Sequence, residues 1–120
     1  MSSDRLTENF RRSEFACRCG CGFDRVAPEL VELLQMVRDR FCAPVTITSG
    51  CRCSRHNAAI GGVFGSRHVT GEAADIQVAG ATPQHVADWL QAHFPRCLGI
   101  GVYPTWVHVD IREAPARWAS

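Results

Sequence analysis

The chain has 120 residues, 46% of them hydrophobic, which suits one compact α+β domain with a modest core. Its 13 basic and 12 acidic side chains leave a net charge of +1 and form no basic stripe, so no nucleic-acid partner is expected. No apolar run approaches the roughly 20 residues that cross a bilayer, and Met1 to Arg12 lacks a charged segment leading into an apolar one. The expectation is therefore no membrane insertion and synthesis in the cytoplasm without a signal peptide.

The first feature along the chain is the run Cys17-Arg18-Cys19-Gly20-Cys21, followed by Cys42, Cys51, Cys53 and Cys97. Seven cysteines leave at least one thiol outside any intramolecular disulfide set. Structural zinc sites usually space their ligands as C-x(2–4)-C, and this run alternates instead, so reduced or partly paired structural cysteines are the favoured reading over a second metal. A disulfide from this run to Cys51 or Cys53 stays open.

From Ala27 to Phe41 the apolar residues Leu30, Leu33, Leu34, Val37 and Phe41 recur at helical spacing behind Pro28, which predicts an amphipathic helix. Val45-Thr46-Ile47-Thr48 alternates in a β-branched run and predicts a short strand ended by Ser49-Gly50. Ser54 could cap a short helix through Ile60, stopped by Gly61-Gly62, and Val63 to Gly71 reads as a loop. A strand over Ala74 to Val78 follows. Thr82 and Pro83 then open a helix with Val86, Trp89, Leu90 and Phe94 on one face. Gly99 to Tyr103 and Trp106 to Ile111 read as a hairpin across Pro104-Thr105. Three or four strands with two or three helices predict a small single domain over 1–120, with a core of about residues 10–112, built on a short antiparallel sheet.

In the last strand the period of two sends Val107, Val109 and Ile111 to the core and leaves Trp106, His108, Asp110 and Arg112 on the opposite face. A polar row on a central strand predicts a cleft floor. Upstream, Gly71 can take the backbone conformation that turns the chain so that His68 and Asp75 converge. Imidazole nitrogens and carboxylate oxygens are good zinc donors at about 2 Å. His85 and His93 lie on a helix without a matching motif and read as surface or structural residues, and a structural role is also favoured for His56.

Ser66-Arg67-His68-Val69-Thr70-Gly71-Glu72-Ala73-Ala74-Asp75 and Val107-His108-Val109-Asp110 together make S-x-H-x-x-G-x-A-x-D followed by V-H-V-D. This pair resembles the zinc D-alanyl-D-alanine peptidases, whose relatives include bacterial carboxypeptidases and endopeptidases, phage lysins and the Hedgehog domain. Ser49-Gly50-Cys51-Arg52 and His56-Asn57-Ala58-Ala59-Ile60-Gly61-Gly62 look like family segments too, so the resemblance runs from about Phe10 to Arg112.

The resemblance implies one zinc ion on His68, Asp75 and His108, with a coordination position left open for the water that attacks the peptide bond. It implies a substrate- or oxyanion-binding role for Arg52 and a substrate hydrogen bond from Ser66, whose hydroxyl would otherwise stabilise a turn. Many members carry a glutamate three residues before the last histidine ligand, where this chain has Thr105. Asp110 is the best local substitute as catalytic base, and orienting a ligand histidine is an equally weighted role for it. Glu72 is the weaker candidate.

By resemblance the substrate is a peptidoglycan stem peptide, cut by a D-Ala-D-Ala carboxypeptidase or a lysin-like endopeptidase that reaches the cell wall after release. Arg52 leans toward the carboxypeptidase, and a cytoplasmic dipeptidase acting on wall precursors remains open. Two other classes compete. One is a zinc-bearing wall-binding module that has lost catalysis, predicting zinc without turnover. The other is a metal or redox protein centred on Cys17, Cys19, Cys21, Cys51 and Cys53, in which cysteine substitutions, and not His68→Ala, would remove metal.

Overall fold

The computed structural model describes residues 4–120; the first three positions of the stretch read for a signal peptide lie outside the described residues. Helix α1, Pro28–Phe41, starts with Pro28 in its first turn, where the missing N–H costs nothing, and ends at Cys42 in the left-handed conformation. It buries Leu30, Val31, Leu33, Leu34 and Val37 along one side. Helix α2, Ser54–Ala59, differs from expectation at its start: Cys53, and not Ser54, is the capping residue, its sulfur accepting from the His56 N–H. Helix α3, Pro83–His93, is capped as expected by the Thr82 hydroxyl, which accepts from the His85 N–H at 3.1 Å.

Five strands complete the domain among the described residues: β1 Val45–Ser49, β2 Ala73–Val78, β3 Gly99–Val102, β4 Val107–Asp110 and β5 Ala116–Ala119. They form one sheet in the order β1-β2-β4-β3-β5. The first four pair antiparallel, as the alternation and the hairpin predict, whereas β5 joins β3 in parallel and makes the sheet mixed. This last strand lies past the expected core because Ala-Arg-Trp-Ala carries little apolar alternation; only its partner at the sheet edge makes it a strand. Among the described residues no helix is long and apolar enough to cross a membrane.

One face of the sheet is hydrophobic and covered. Ile47, Ala74, Ile76, Val78, Ile100, Val107 and Val109 join the inner sides of α1 and α3 in a single buried cluster, with Phe10 and Phe15 closing its end. The alternate residues Asp75, His108 and Asp110 therefore sit on the other face, where loops rather than helices lie over the sheet. Burial of the first set fixes the register, and a slip of one residue would exchange the two sets.

Candidate metal centre

Asp75 on β2 and His108 on β4 are direct cross-strand partners, so the sheet itself places them side by side. His68 comes from the loop before β2. Gly71, at φ +74°, brings that loop back, and its carbonyl accepts the Ala27 N–H; a side chain there would also collide with the Arg25 carbonyl. His68 Nε2 stands 3.3 Å from Asp75 Oδ1, and His108 Nδ1 stands 3.0 Å from the same oxygen. One ligand atom from each of the three residues lies within 4.8 Å of the others.

The protons on the two rings follow from their other partners. His68 Nδ1 lies 2.7 Å from the Gly50 carbonyl, which can only accept, so Nδ1 carries the hydrogen and a neutral ring keeps its lone pair on Nε2. His108 Nε2 lies 2.9 Å from Asp110 Oδ2, and an ionised carboxylate likewise only accepts, so Nε2 keeps its hydrogen and Nδ1, facing Asp75, is the nitrogen that can give up a proton to bind a cation. Two imidazole nitrogens and a carboxylate oxygen thus converge, and with both rings neutral their lone pairs would repel unless a cation, or a proton in the metal-free protein, lay between them. Donors about 2 Å from a tetrahedral ion stand roughly 3.3 Å apart, and the separations of 3.0 and 3.3 Å fit that.

Without a metal, protons take the cation's place between these groups. Burial alone would raise the Asp75 pKa, but hydrogen bonds from His108 and His68 outweigh it and bring it down to about 2. Burial disfavours the charged form of His108, yet its bonds to Asp110 and Asp75 win and raise its pKa. Asp110 is completely buried, which should also raise its pKa; the Arg112 guanidinium and His108 instead hold it well below the carboxylate range.

A family model described as peptidase M15 matches residues 8–110. The chain belongs to the peptidase M15 family. It is a metallopeptidase, and the convergent donors described above are candidate metal-binding groups of this M15 domain. No curated protein matches the chain.

Of the other residues singled out in this M15 peptidase, Arg52, Ser66 and Asp110 line the same cleft as the three, and Glu72 and Thr105 do not. Arg52, just past β1, donates to Ser49 Oγ at 3.0 Å, Asn57 Oδ1 at 3.2 Å and Asp75 Oδ2 at 3.3 Å. Ser66 is buried and its hydroxyl accepts the His68 N–H at 3.3 Å, which ties the loop that carries the histidine. Glu72 is half-exposed and takes the Thr70 hydroxyl at 2.7 Å and Arg67 at 3.6 Å, turned away from the three donors. Thr105 is exposed on the β3–β4 turn, where its carbonyl accepts from Gln77.

Asp110 uses both oxygens. Oδ1 accepts from the Gly99 N–H at 3.1 Å and from Arg112 N–H and Nε at 3.2 and 2.7 Å; Oδ2 accepts from Arg112 Nη2 at 2.7 Å and from His108. Space for it exists because its cross-strand partner is Gly99, where any Cβ would overlap the carboxylate.

A cleft of about 690 Å³ opens over these residues. Its walls include Arg67, Tyr103, Trp106 and Trp118, which the motifs did not single out as site residues. Tyr103 and Trp106 stack at 4.7 Å, and the Trp118 Nε1 donates to the Tyr103 hydroxyl at 2.9 Å. Alternation along β4 already put Trp106 on this face. Trp118 had no such signal, since it arrives on β5.

Proposed function

We propose that this M15 peptidase hydrolyses peptide bonds of peptidoglycan stem peptides, with one zinc ion held by His68, Asp75 and His108. The observation that carries the reading is the convergence of two imidazole nitrogens and one carboxylate oxygen in an open cleft. Zinc bound there supplies a Lewis acid for the scissile carbonyl and lowers the pKa of a water in its open position.

The chain's own residues supply the rest. Gly50 and Asp110 fix the tautomers of the two histidines, so that the correct nitrogen of each faces the donors' common point. Of the two roles that the sequence left to Asp110, the reading takes the orienting one: a fully buried carboxylate with five hydrogen bonds has no lone pair directed at a cleft water. Arg52 has five N–H donors and spends three, which leaves one on each terminal nitrogen for a substrate carboxylate or a developing oxyanion. Arg67, its side chain 40% exposed at the cleft wall, is paired with Glu72 at 3.6 Å and Asp110 at 3.8 Å, so the free donors of Arg52 are what favour a carboxypeptidase. The stacked Tyr103 and Trp106 give the peptide an apolar wall.

The test is zinc content together with hydrolysis of purified peptidoglycan and of a peptide ending in D-Ala-D-Ala, for the wild type and His108→Ala. The reading expects the variant to lose the zinc of this site and all turnover. Zinc in the wild type with no cleavage of either substrate would overturn it.

A further inference from the structure

A second cluster of metal-ligating side chains lies outside the cleft. Cys17, Cys19, Cys21 and Cys53 bring their sulfurs within 4.8 Å of one another. Cys19 Sγ is 3.4 Å from Cys17 Sγ and 3.6 Å from Cys53 Sγ. A disulfide joins sulfurs in pairs at about 2.05 Å, with no call for a third or fourth nearby. Four thiolates at about 2.3 Å from one tetrahedral ion stand roughly 3.8 Å apart, and the observed 3.4 and 3.6 Å lie a few tenths of an ångström below that value.

The backbone is shaped for the same end. The loop is closed at its base by the Cys17 N–H on the Phe23 carbonyl at 2.8 Å, and turns at Gly20 with its N–H on the Cys17 carbonyl at 3.1 Å. Gly20 and Gly22 have φ of +82° and +92°, yet a Cβ at either would meet nothing within 4 Å. Glycine is thus required there by conformation and not by space, and the two turns wrap three alternating cysteines around one point. Arg18, between them, reaches away to the Ile47 carbonyl at 2.6 Å and pins the loop to β1. The N–H of Cys53 points at Cys17 Sγ and that of His56 at Cys53 Sγ, both at 3.4 Å, donors that suit negatively charged sulfur.

We propose that Cys17, Cys19, Cys21 and Cys53 form a second, structural metal site that holds zinc as a tetrathiolate. Four protein ligands leave no open position, which distinguishes this site from the one in the cleft. The thiols release their protons as the ion binds. The ion ties the amino-terminal segment to the turn after β1, and Cys53 directly follows Arg52, whose guanidinium holds Asp75. The second site therefore steadies the wall of the first.

The experiment uses the full chain purified under reductant, with metal counted and then exchanged for cobalt. Thiolate-bound cobalt gives an intense sulfur-to-metal charge-transfer band in the near ultraviolet, which a site of two histidines and a carboxylate lacks. About two metal ions per chain are expected, with the band retained in His108→Ala and lost, with about one ion, in Cys19→Ser and Cys53→Ser. Should these variants not fold, titration of the wild-type thiols with a mercurial must release zinc in step with the modification of four thiols. About one metal per chain without the band, or a disulfide among these four cysteines in the reduced preparation, would overturn the proposal. Neither result touches the metal on His68, Asp75 and His108, so the two sites stand or fall separately.

Discussion

Asp110 and His108 lie two residues apart on one strand, and the buried carboxylate of the first takes the Nε2 hydrogen of the second at 2.9 Å. Because Asp110 is also gripped by Arg112 and by the Gly99 N–H, the imidazole is held in one orientation with Nδ1 toward Asp75. Such partners raise ligand basicity as well as aligning it.

Asp110→Asn keeps the shape and removes the charge. Metal affinity of the cleft site should fall roughly 10- to 100-fold, with a parallel loss of turnover at limiting metal. Competition against a chelator measures the affinity. Activity that stays low under saturating metal, with affinity unchanged, would instead mark Asp110 as a proton acceptor.

Gly99→Ala places a methyl group where the Asp110 carboxylate sits. The carboxylate must shift, and the variant should lose on the order of 1–3 kcal/mol of stability, as overpacked cores do. Urea unfolding of the metal-free protein reads this directly, and metal affinity should drop with it.

The pH dependence of the metal-stripped protein has two limbs. Asp75, lowered from 3.8 to about 2, contributes stability that is complete above about pH 4 and lost as pH falls through about 2. His108, raised above 6.5, contributes stability that is present below 6.5 and lost as pH climbs through its raised value. Thermal midpoints of chelator-treated protein should therefore be highest between about pH 4 and 6.5. Asp75→Asn should flatten the acidic limb.

Arg52→Lys retains a positive charge and loses the fork that spans Ser49, Asn57 and Asp75. Turnover should fall on the order of 10-fold or more while the fold is kept. Steady-state kinetics beside a circular dichroism spectrum would separate this from simple unfolding.

Much of the domain was legible in local pattern. The helical spacing of Leu30, Leu33, Leu34 and Val37, the caps at Pro28 and Thr82, and the alternation of Val107 and Val109 each describe a face, and a face is a property of consecutive residues. The same alternation put His108 and Asp110 together opposite the core, and the two motifs marked the residues that the sheet brings into contact. What local pattern does not carry is the partner across a long separation. The fourth sulfur of the cysteine cluster stands 34 residues from Cys19, so the spacing rule for a single run was silent about it. The parallel pairing of β5 with β3, which delivers Trp118 to the cleft, depends on an edge that exists only once the sheet has formed. Likewise the burial of Asp110 needed Gly99 opposite it. Sequence by itself determined which residue types face together; closure of the chain decided which of them meet, and thereby gave Asp110 a buried niche beside His108 and the cysteines a common centre.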